Sequence, residues 1–231
     1  MDKITIAIDG FSSTGKSTVA KKLAKHLGYV YVDSGAMYRA ITFFAMQNKL
    51  ISDHFFDKKK LIAKLNDITI GFVFNPEKGF ADVFLNGNNV EKDIRTLEVS
   101  RFVSQVAKVP EVRKKLVEIQ RKLGENKGVV MDGRDIGSIV FPNAELKIFM
   151  TASPEKRAQR RFDELLERGE DVTYAAVLKN VQERDFIDSN RKDSPLIKVD
   201  DAIEIDNSNL SIEEQFHKIL DLIKICLEDS E

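Results

Sequence analysis

Apolar residues along this chain follow two rhythms. Short blocks recur as ITIAI at 4–8, YVYV at 29–32, GVVM at 128–131, LKIFM at 146–150 and AIEI at 202–205, and several end in or beside an aspartate. Blocks of this length without polar alternation predict strands buried on both faces of a parallel sheet, with functional residues gathered at the strands' carboxyl ends. Between the blocks the spacing becomes helical. Val19, Leu23 and Leu27, with Ala20 and Ala24, form one stripe that stops at Gly28, where a glycine suits a left-handed C-cap. Ser153 before Pro154 predicts an N-cap and a first helical residue. Ser211 and Glu214 have capping-box spacing, and Ile212, Phe216, Ile219 and Ile223 continue an apolar face, which predicts a closing helix against the sheet. Strands alternating with helices in this way predict an α/β fold.

Two segments break the rhythm. Residues 68–90, ITIGFVFNPEKGFADVFLNGNNV, hold β-rich runs around NPEKG and then an Asn-Gly pair, which predicts antiparallel hairpins inserted into the α/β core. Residues 155–193 are rich in arginine and acidic residues, and Gly169 divides two helical patterns, which predicts a mobile helical lid.

Composition narrows the picture. With 231 residues, 42% of them hydrophobic, the chain supports one main core. A formal net charge of -1 supplies no global field for nucleic acid or an acidic membrane surface, so any anion site must be built locally. Cys226, the one cysteine, sits in the terminal apolar stripe and is expected to be a buried, inert thiol. The chain opens directly on a strand pattern, and no apolar run reaches the roughly 18 residues that a membrane span needs. A cytoplasmic protein without membrane or nucleic-acid partners, acting as a monomer, is expected.

The first strand runs into GFSSTGKST. Gly10, four intervening residues, then Gly15, Lys16 and Ser17 satisfy the phosphate-loop spacing, with a strand before and an amphipathic helix after. In such a loop backbone amides and the helix N-terminus face the phosphates, Lys16 reaches the β and γ groups, and Ser17 is placed for Mg²⁺. The loop alone admits a kinase, a GTPase switch or an ATPase motor. No DxxG or NKxD segment occurs, since Asn48-Lys49-Leu50 is followed by Ile51, and this disfavours the switch.

If the loop holds a donor, an acceptor that is itself a phosphate calls for guanidinium groups, whose planar forks bind phosphate oxygens in pairs. Four clusters supply them. In VDSGAMYR the second strand ends at Asp33, and Ser34 is expected to cap a helix that carries Arg39. In VVMDGRDIG, Asp132, Arg134 and Asp135 lie at the end of the third strand. Ser104 and Arg113 straddle Pro110, which is expected to start a new helix. Val177, Val181, Arg184, Asp188 and Arg191 follow steps of 4, 3, 4 and 3 along one helical face of the lid, whose first helix adds Arg157, Arg160 and Arg161. Ala158, Phe162 and Leu165 form that helix's packing stripe, and Arg160 has the spacing to pair with Glu164.

Taken in order, GFSSTGKST, DSGAMYR, VPEVR, DGRDIG and ERDFIDSNR resemble the bacterial cytidylate kinases, a family of nucleoside monophosphate kinases, over essentially the whole chain. The resemblance implies a doubly wound five-stranded parallel sheet with helices on both faces, a β-rich monophosphate-binding insertion and a helical lid. It also implies transfer of the γ-phosphate of ATP to CMP or dCMP with Mg²⁺. The implied division of the single kinase domain, 1–231, is a core at about 1–33, 125–152 and 195–231, a monophosphate-binding region at about 34–124 and a lid at about 153–194.

Carried over residue by residue, Gly10, Phe11, Ser12, Ser13, Thr14, Gly15, Lys16, Ser17 and Thr18, with Arg157 and Arg161, would hold ATP. Arg39, Arg134 and Arg191 would hold phosphates, the last two that of the acceptor. Ser34, Ser104, Arg113 and Asp135 would read cytosine, Asp132 would join the acceptor site, and Arg184 and Asp188 would reach the acceptor's sugar or phosphate. Lys16, Arg134, Arg184 and Arg191 would carry the catalysis. The loop departs from the family's glycine-richer GPSGAGKGT at Phe11, Ser13, Thr14 and Ser17. The rivals are a small kinase for AMP, UMP or a metabolite such as shikimate, and a nucleotide-dependent switch without an acceptor.

Overall fold

The computed structural model describes residues 3–228, so the outermost ends of the expected domain lie outside the described residues. The chain runs β1 (Thr5–Gly10), α1 (Lys16–Leu27), β2 (Val30–Asp33), α2 (Ser34–Gln47), β3 (Ile51–Ser52), β4 (Phe55–Phe56) and α3 (Lys58–Ala63). There follow β5 (Ile70–Asn75), β6 (Phe80–Leu85), β7 (Asn88–Asn89), α4 (Leu97–Val106), α5 (Pro110–Leu123) and β8 (Val129–Gly133). The last third holds β9 (Leu146–Thr151), α6 (Pro154–Glu167), α7 (Tyr174–Asn190), β10 (Ile203–Asp206) and α8 (Ile212–Glu228). Five strands form one parallel sheet in the order β10-β9-β1-β8-β2.

Side chains of successive strand residues point to opposite faces, and two cores result. On one face Ala7, Val32, Val129 and Met131 pack against α2, α4 and α5. On the other Ile6, Ile8, Val130, Ile148 and Met150 meet Val19 and Leu23 of α1 and Phe216, Ile219 and Ile223 of α8. Ile212, in the first turn of α8, points to solvent instead of continuing that stripe. Three of the expected caps form. Gly28 is left-handed at φ 65°, Ser153 Oγ accepts from the Lys156 amide, and Ser211 and Glu214 exchange the bonds of a capping box. Cys226 is half-buried rather than enclosed, on the flank of the second core beside the Glu145 carbonyl.

The insertion is a three-stranded antiparallel sheet, with Ile70 opposite Leu85 and Asn75 opposite Phe80. Its second hairpin turns at Asn86 and Gly87, both at positive φ, the geometry that an Asn-Gly turn supplies with least strain. The lid is the α6–α7 pair, parted at left-handed Gly169, with Ala158, Leu165, Val177 and Val181 buried. It rests on α4, where the Ser100 hydroxyl donates to Asn180 and accepts from Arg184.

Candidate active site

The carboxyl ends of β1, β2 and β8 open on a cleft of about 850 Å³, roofed by α4, the insertion and the lid. The phosphate loop forms its floor. Gly10 must be glycine, because a Cβ there would stand 2.0 Å from the Met150 carbonyl oxygen, and its φ is +144°. Gly15 is left-handed at the start of α1, which aims the first amides of the helix into the cleft. Lys16 is buried and its Nζ donates to the Phe11 carbonyl at 2.7 Å. Thr14 Oγ1 donates to the same carbonyl at 3.1 Å, so the loop is closed on itself. Ser12, Ser13, Ser17 and Thr18 line the cavity beside Gly15 and Lys16.

Ser17 donates to Asp132 Oδ2 at 2.9 Å, and the Tyr31 hydroxyl donates to its other oxygen at 2.8 Å. Asp132 was expected among the acceptor groups. It lines the cleft beside the phosphate loop, because β8 lies next to β1 and delivers its aspartate to the foot of α1.

The rest of the cleft wall is built from paired charges. Asp33, not Ser34, caps α2, accepting from the Ala36 amide at 2.8 Å, while Ser34 Oγ donates to the Asp132 carbonyl at 2.7 Å. The Asp33 carboxylate also holds Arg39 at 2.9 Å and Arg95 at 2.7 Å. Arg113 and Asp135 form a fully buried ion pair, with Arg191 3.8 Å from the same carboxylate. Arg134 Nε donates to Asp188 at 3.1 Å. Ser104 Oγ is buried near Asp188 but outside hydrogen-bonding geometry, and Arg39 Nε, Arg113 Nε, Arg184 Nε and Arg191 Nη2 are likewise buried without a hydrogen-bond acceptor. Buried donors left open within a cleft are groups that a polyanionic ligand would satisfy.

The first lid helix behaves differently from its expected role. Arg157 is only 2% exposed and does not line the cleft. Its guanidinium is consumed by Asp185 at 2.5 and 2.9 Å and by the carbonyls of Ala152 and Ser12, and it lies 5.1 Å from the Phe11 ring centroid. The bulky Phe11 thus packs beneath the loop. Arg160 does not pair with Glu164. It reaches the Thr14 carbonyl and Asn207 instead, and Glu164 takes Arg161 and Arg168. Arg161 does face the cleft, donating to the Arg95 carbonyl at 2.7 Å.

Burial dominates the electrostatics. It pushes the Lys16 ammonium well below the lysine range, with neighbouring Arg134 acting in the same direction. It brings Arg184 down to about 9, again with Arg134 contributing, and raises Asp132 and Asp135 above the usual carboxylate range. Burial works to raise Asp33 and Asp188 as well, but their arginines outweigh it and hold both below that range. Asp9, which accepts from the Ile136 and Gly137 amides, is pushed up to about 6 by burial.

Sequence reasoning missed Asp9, Asp33 as a hub, Tyr31, Arg95, Ser100 and Asn207. Asp9 and Asp33 share the one available signal, an aspartate at a strand's carboxyl end. Arg95, in a turn after the insertion, has none.

The sequence model of the cytidylate kinase family matches residues 6–225. Among curated proteins, the cytidylate kinases of Flavobacterium johnsoniae and Flavobacterium psychrophilum are 67% and 66% identical, each over 96% of this chain and 97% and 99% of their own. That of Bacteroides thetaiotaomicron is 56% identical over 93% of this chain and 94% of its own. With a phosphate loop facing an arginine-walled cleft, and with matches along nearly its whole length, this chain belongs to the cytidylate kinase family, a family of phosphotransferases.

Proposed function

We propose that this protein transfers the γ-phosphate of ATP to CMP or dCMP, giving CDP or dCDP, as a monomeric cytoplasmic enzyme. The observation that carries this reading is the buried Arg113–Asp135 pair, set across the cleft from Lys16 among Arg39, Arg134, Arg184 and Arg191. A carboxylate beside a guanidinium suits cytosine, which offers an amino donor next to ring and carbonyl acceptors. Uracil presents an acceptor where the amino group would be, and a site built to receive a donor penalises that loss heavily.

The parts divide as follows. The loop amides, Lys16, Ser12, Ser13, Gly15, Ser17 and Thr18 receive the donor phosphates, and Lys16 exchanges the Phe11 carbonyl for phosphate oxygens. Arg39, Arg134 and Arg191 hold phosphate, Ser34, Ser104, Arg113 and Asp135 orient the base, and Arg184 and Asp188 reach the sugar or phosphate from the lid. Arg157 serves ATP indirectly, by fixing the loop. Residues 34–124 bind the monophosphate, 153–194 form the lid, and the remainder is the core.

The Ser17 hydroxyl and the Asp132 carboxylate, 2.9 Å apart, are the hard oxygen donors that Mg²⁺ prefers, and few protein ligands are needed where phosphates supply the rest. When bound there, Mg²⁺ would neutralise charge on the donor's β and γ oxygens. The side chains do the remaining work by aligning two polyanions and excluding water. The acceptor phosphate is already ionised, and no general base is required.

A coupled ADP-release assay across CMP, dCMP, UMP, AMP, GMP and shikimate tests the reading. Turnover with CMP and dCMP far above the other acceptors is expected. Turnover with another acceptor, or slow hydrolysis indifferent to all six, overturns it.

A further inference from the structure

Asp9 is a buried carboxylate that the proposed chemistry leaves unused. It is 7% exposed and does not line the cleft. It is the penultimate residue of β1, and Gly10 after it opens the phosphate loop. Its two oxygens do not serve that loop. Oδ1 accepts from the Ile136 amide at 2.8 Å and Oδ2 from the Gly137 amide at 2.7 Å. These are the first two amides after Asp135 and belong to the five-residue π-turn Ile136–Val140, whose leading amides have no partner inside the turn.

The rest of that turn is secured through Asp135 itself, whose carbonyl accepts from the Ile139 and Val140 amides. The Asp135 side chain faces Arg113 and Arg191. Asp135 is therefore held at three points, by its carboxylate, by its carbonyl and, through the next two amides, by Asp9. Gly137 packs closely against this clamp. A Cβ there would meet Lys147 Cδ at 3.2 Å and Cγ at 3.3 Å and would touch Asp9 Oδ2 at 3.4 Å, so an added methyl group requires a shift of a few tenths of an ångström in Lys147 or in the turn.

We propose that Asp9 is a positioning residue for acceptor recognition, which clamps the turn following Asp135 to the donor strand and thereby sets the orientation of the Asp135 carboxylate toward the base. The proposal rests on the CMP kinase reading given above. Charge-assisted bonds to two adjacent amides hold a turn more rigidly than either would alone. Because the clamp is anchored one residue before Gly10, it also sets the distance between the base-reading group and the phosphate loop.

The test compares wild type, Asp9→Asn and Gly137→Ala at pH 7.5, with CMP, UMP and ATP varied separately and thermal unfolding measured in parallel. Asn keeps the shape but presents an N–H to one of the two amides. A roughly tenfold rise in KM for CMP and a roughly tenfold loss of CMP preference over UMP are expected, the scale of losing one charge-assisted hydrogen bond, with KM for ATP within about twofold. Gly137→Ala leaves the carboxylate intact and should move the same quantities in the same direction by about threefold, the effect of a partial displacement. If Asp9→Asn does not fold, Gly137→Ala decides. Unchanged CMP affinity and base preference in a less heat-stable protein would reduce Asp9 to a structural group and overturn the proposal. A rise in KM for ATP equal to that for CMP would place its action on the donor loop and overturn it as well. Wild type that fails to use CMP refutes the functional reading, whereas wild-type turnover with unmoved variants refutes this inference alone.

Discussion

The phosphate loop and the arginine-rich wall face each other across one cleft but are made of different material. The loop is mainly backbone. Its glycines sit where no Cβ fits or where φ is positive, and its carbonyls are held from behind by Arg157, Arg160 and Asn207. The wall is side chain throughout, with carboxylates and guanidiniums paired beneath the lid. A backbone cradle binds any phosphate chain, since it reads only charge and geometry. A wall of paired side chains can read a particular base, and every pair must be in register for it to do so. On the proposed division of roles, generality resides in the loop and selectivity in the wall.

The largest expected effect probes both sides together. Lys16→Ala and Arg134→Ala should each lower the rate of phosphoryl transfer by about 10² to 10³, the scale of one preorganised electrostatic partner. Steady-state turnover near wild type in either variant would remove that residue from the machinery.

A second test concerns what the wall costs to keep. Asp33 caps α2 and neutralises Arg39 and Arg95, so Asp33→Asn should destabilise the protein by about 3 kcal/mol at neutral pH, the lower end for breaking a buried charge network. The carboxyl of the folded protein is held below its unfolded value. Its stabilising contribution is therefore complete above pH of about 4 and is lost as the pH falls below that. Denaturant midpoints for wild type and variant should converge on acidification. A constant difference down to pH 3 would show that Asp33 acts through shape alone.

Selectivity is tested by Asp135→Asn, which should cut the CMP to UMP ratio of kcat/KM by at least about tenfold, since the amide can present a donor to uracil. An unchanged ratio would move base reading elsewhere on the wall. The smallest effect lies outside both regions. Cys226→Ser should cost about 1 kcal/mol or less in a melting experiment and leave kinetics alone, because the thiol is half-buried on the flank of the second core.

The same contrast explains what was legible. The loop could be read from Gly10, Gly15, Lys16 and Ser17 because their functions depend on spacing within nine residues. The lid's inward face could be read as far as Val177, Val181, Arg184 and Asp188 because helical periodicity is also local. The meeting of Asp132 with Ser17 was not legible, because the two lie 115 positions apart and only strand order brings them together. Arg157 and Arg160 read as nucleotide ligands or as a helical ion pair. Nothing local says that an arginine will be spent on loop carbonyls.

The strands of the parallel sheet, most helix caps, the two hairpins of the insertion and the phosphate loop were determined by the sequence itself, through forces acting over a few residues: steric limits on φ, capping bonds and the periodicity of apolar side chains. Only the tertiary structure decided which carboxylate meets which guanidinium. That choice depends on distances between strand ends set by the packing of the whole sheet, and at those short range separations a difference of one strand position transfers a charge from one substrate to the other.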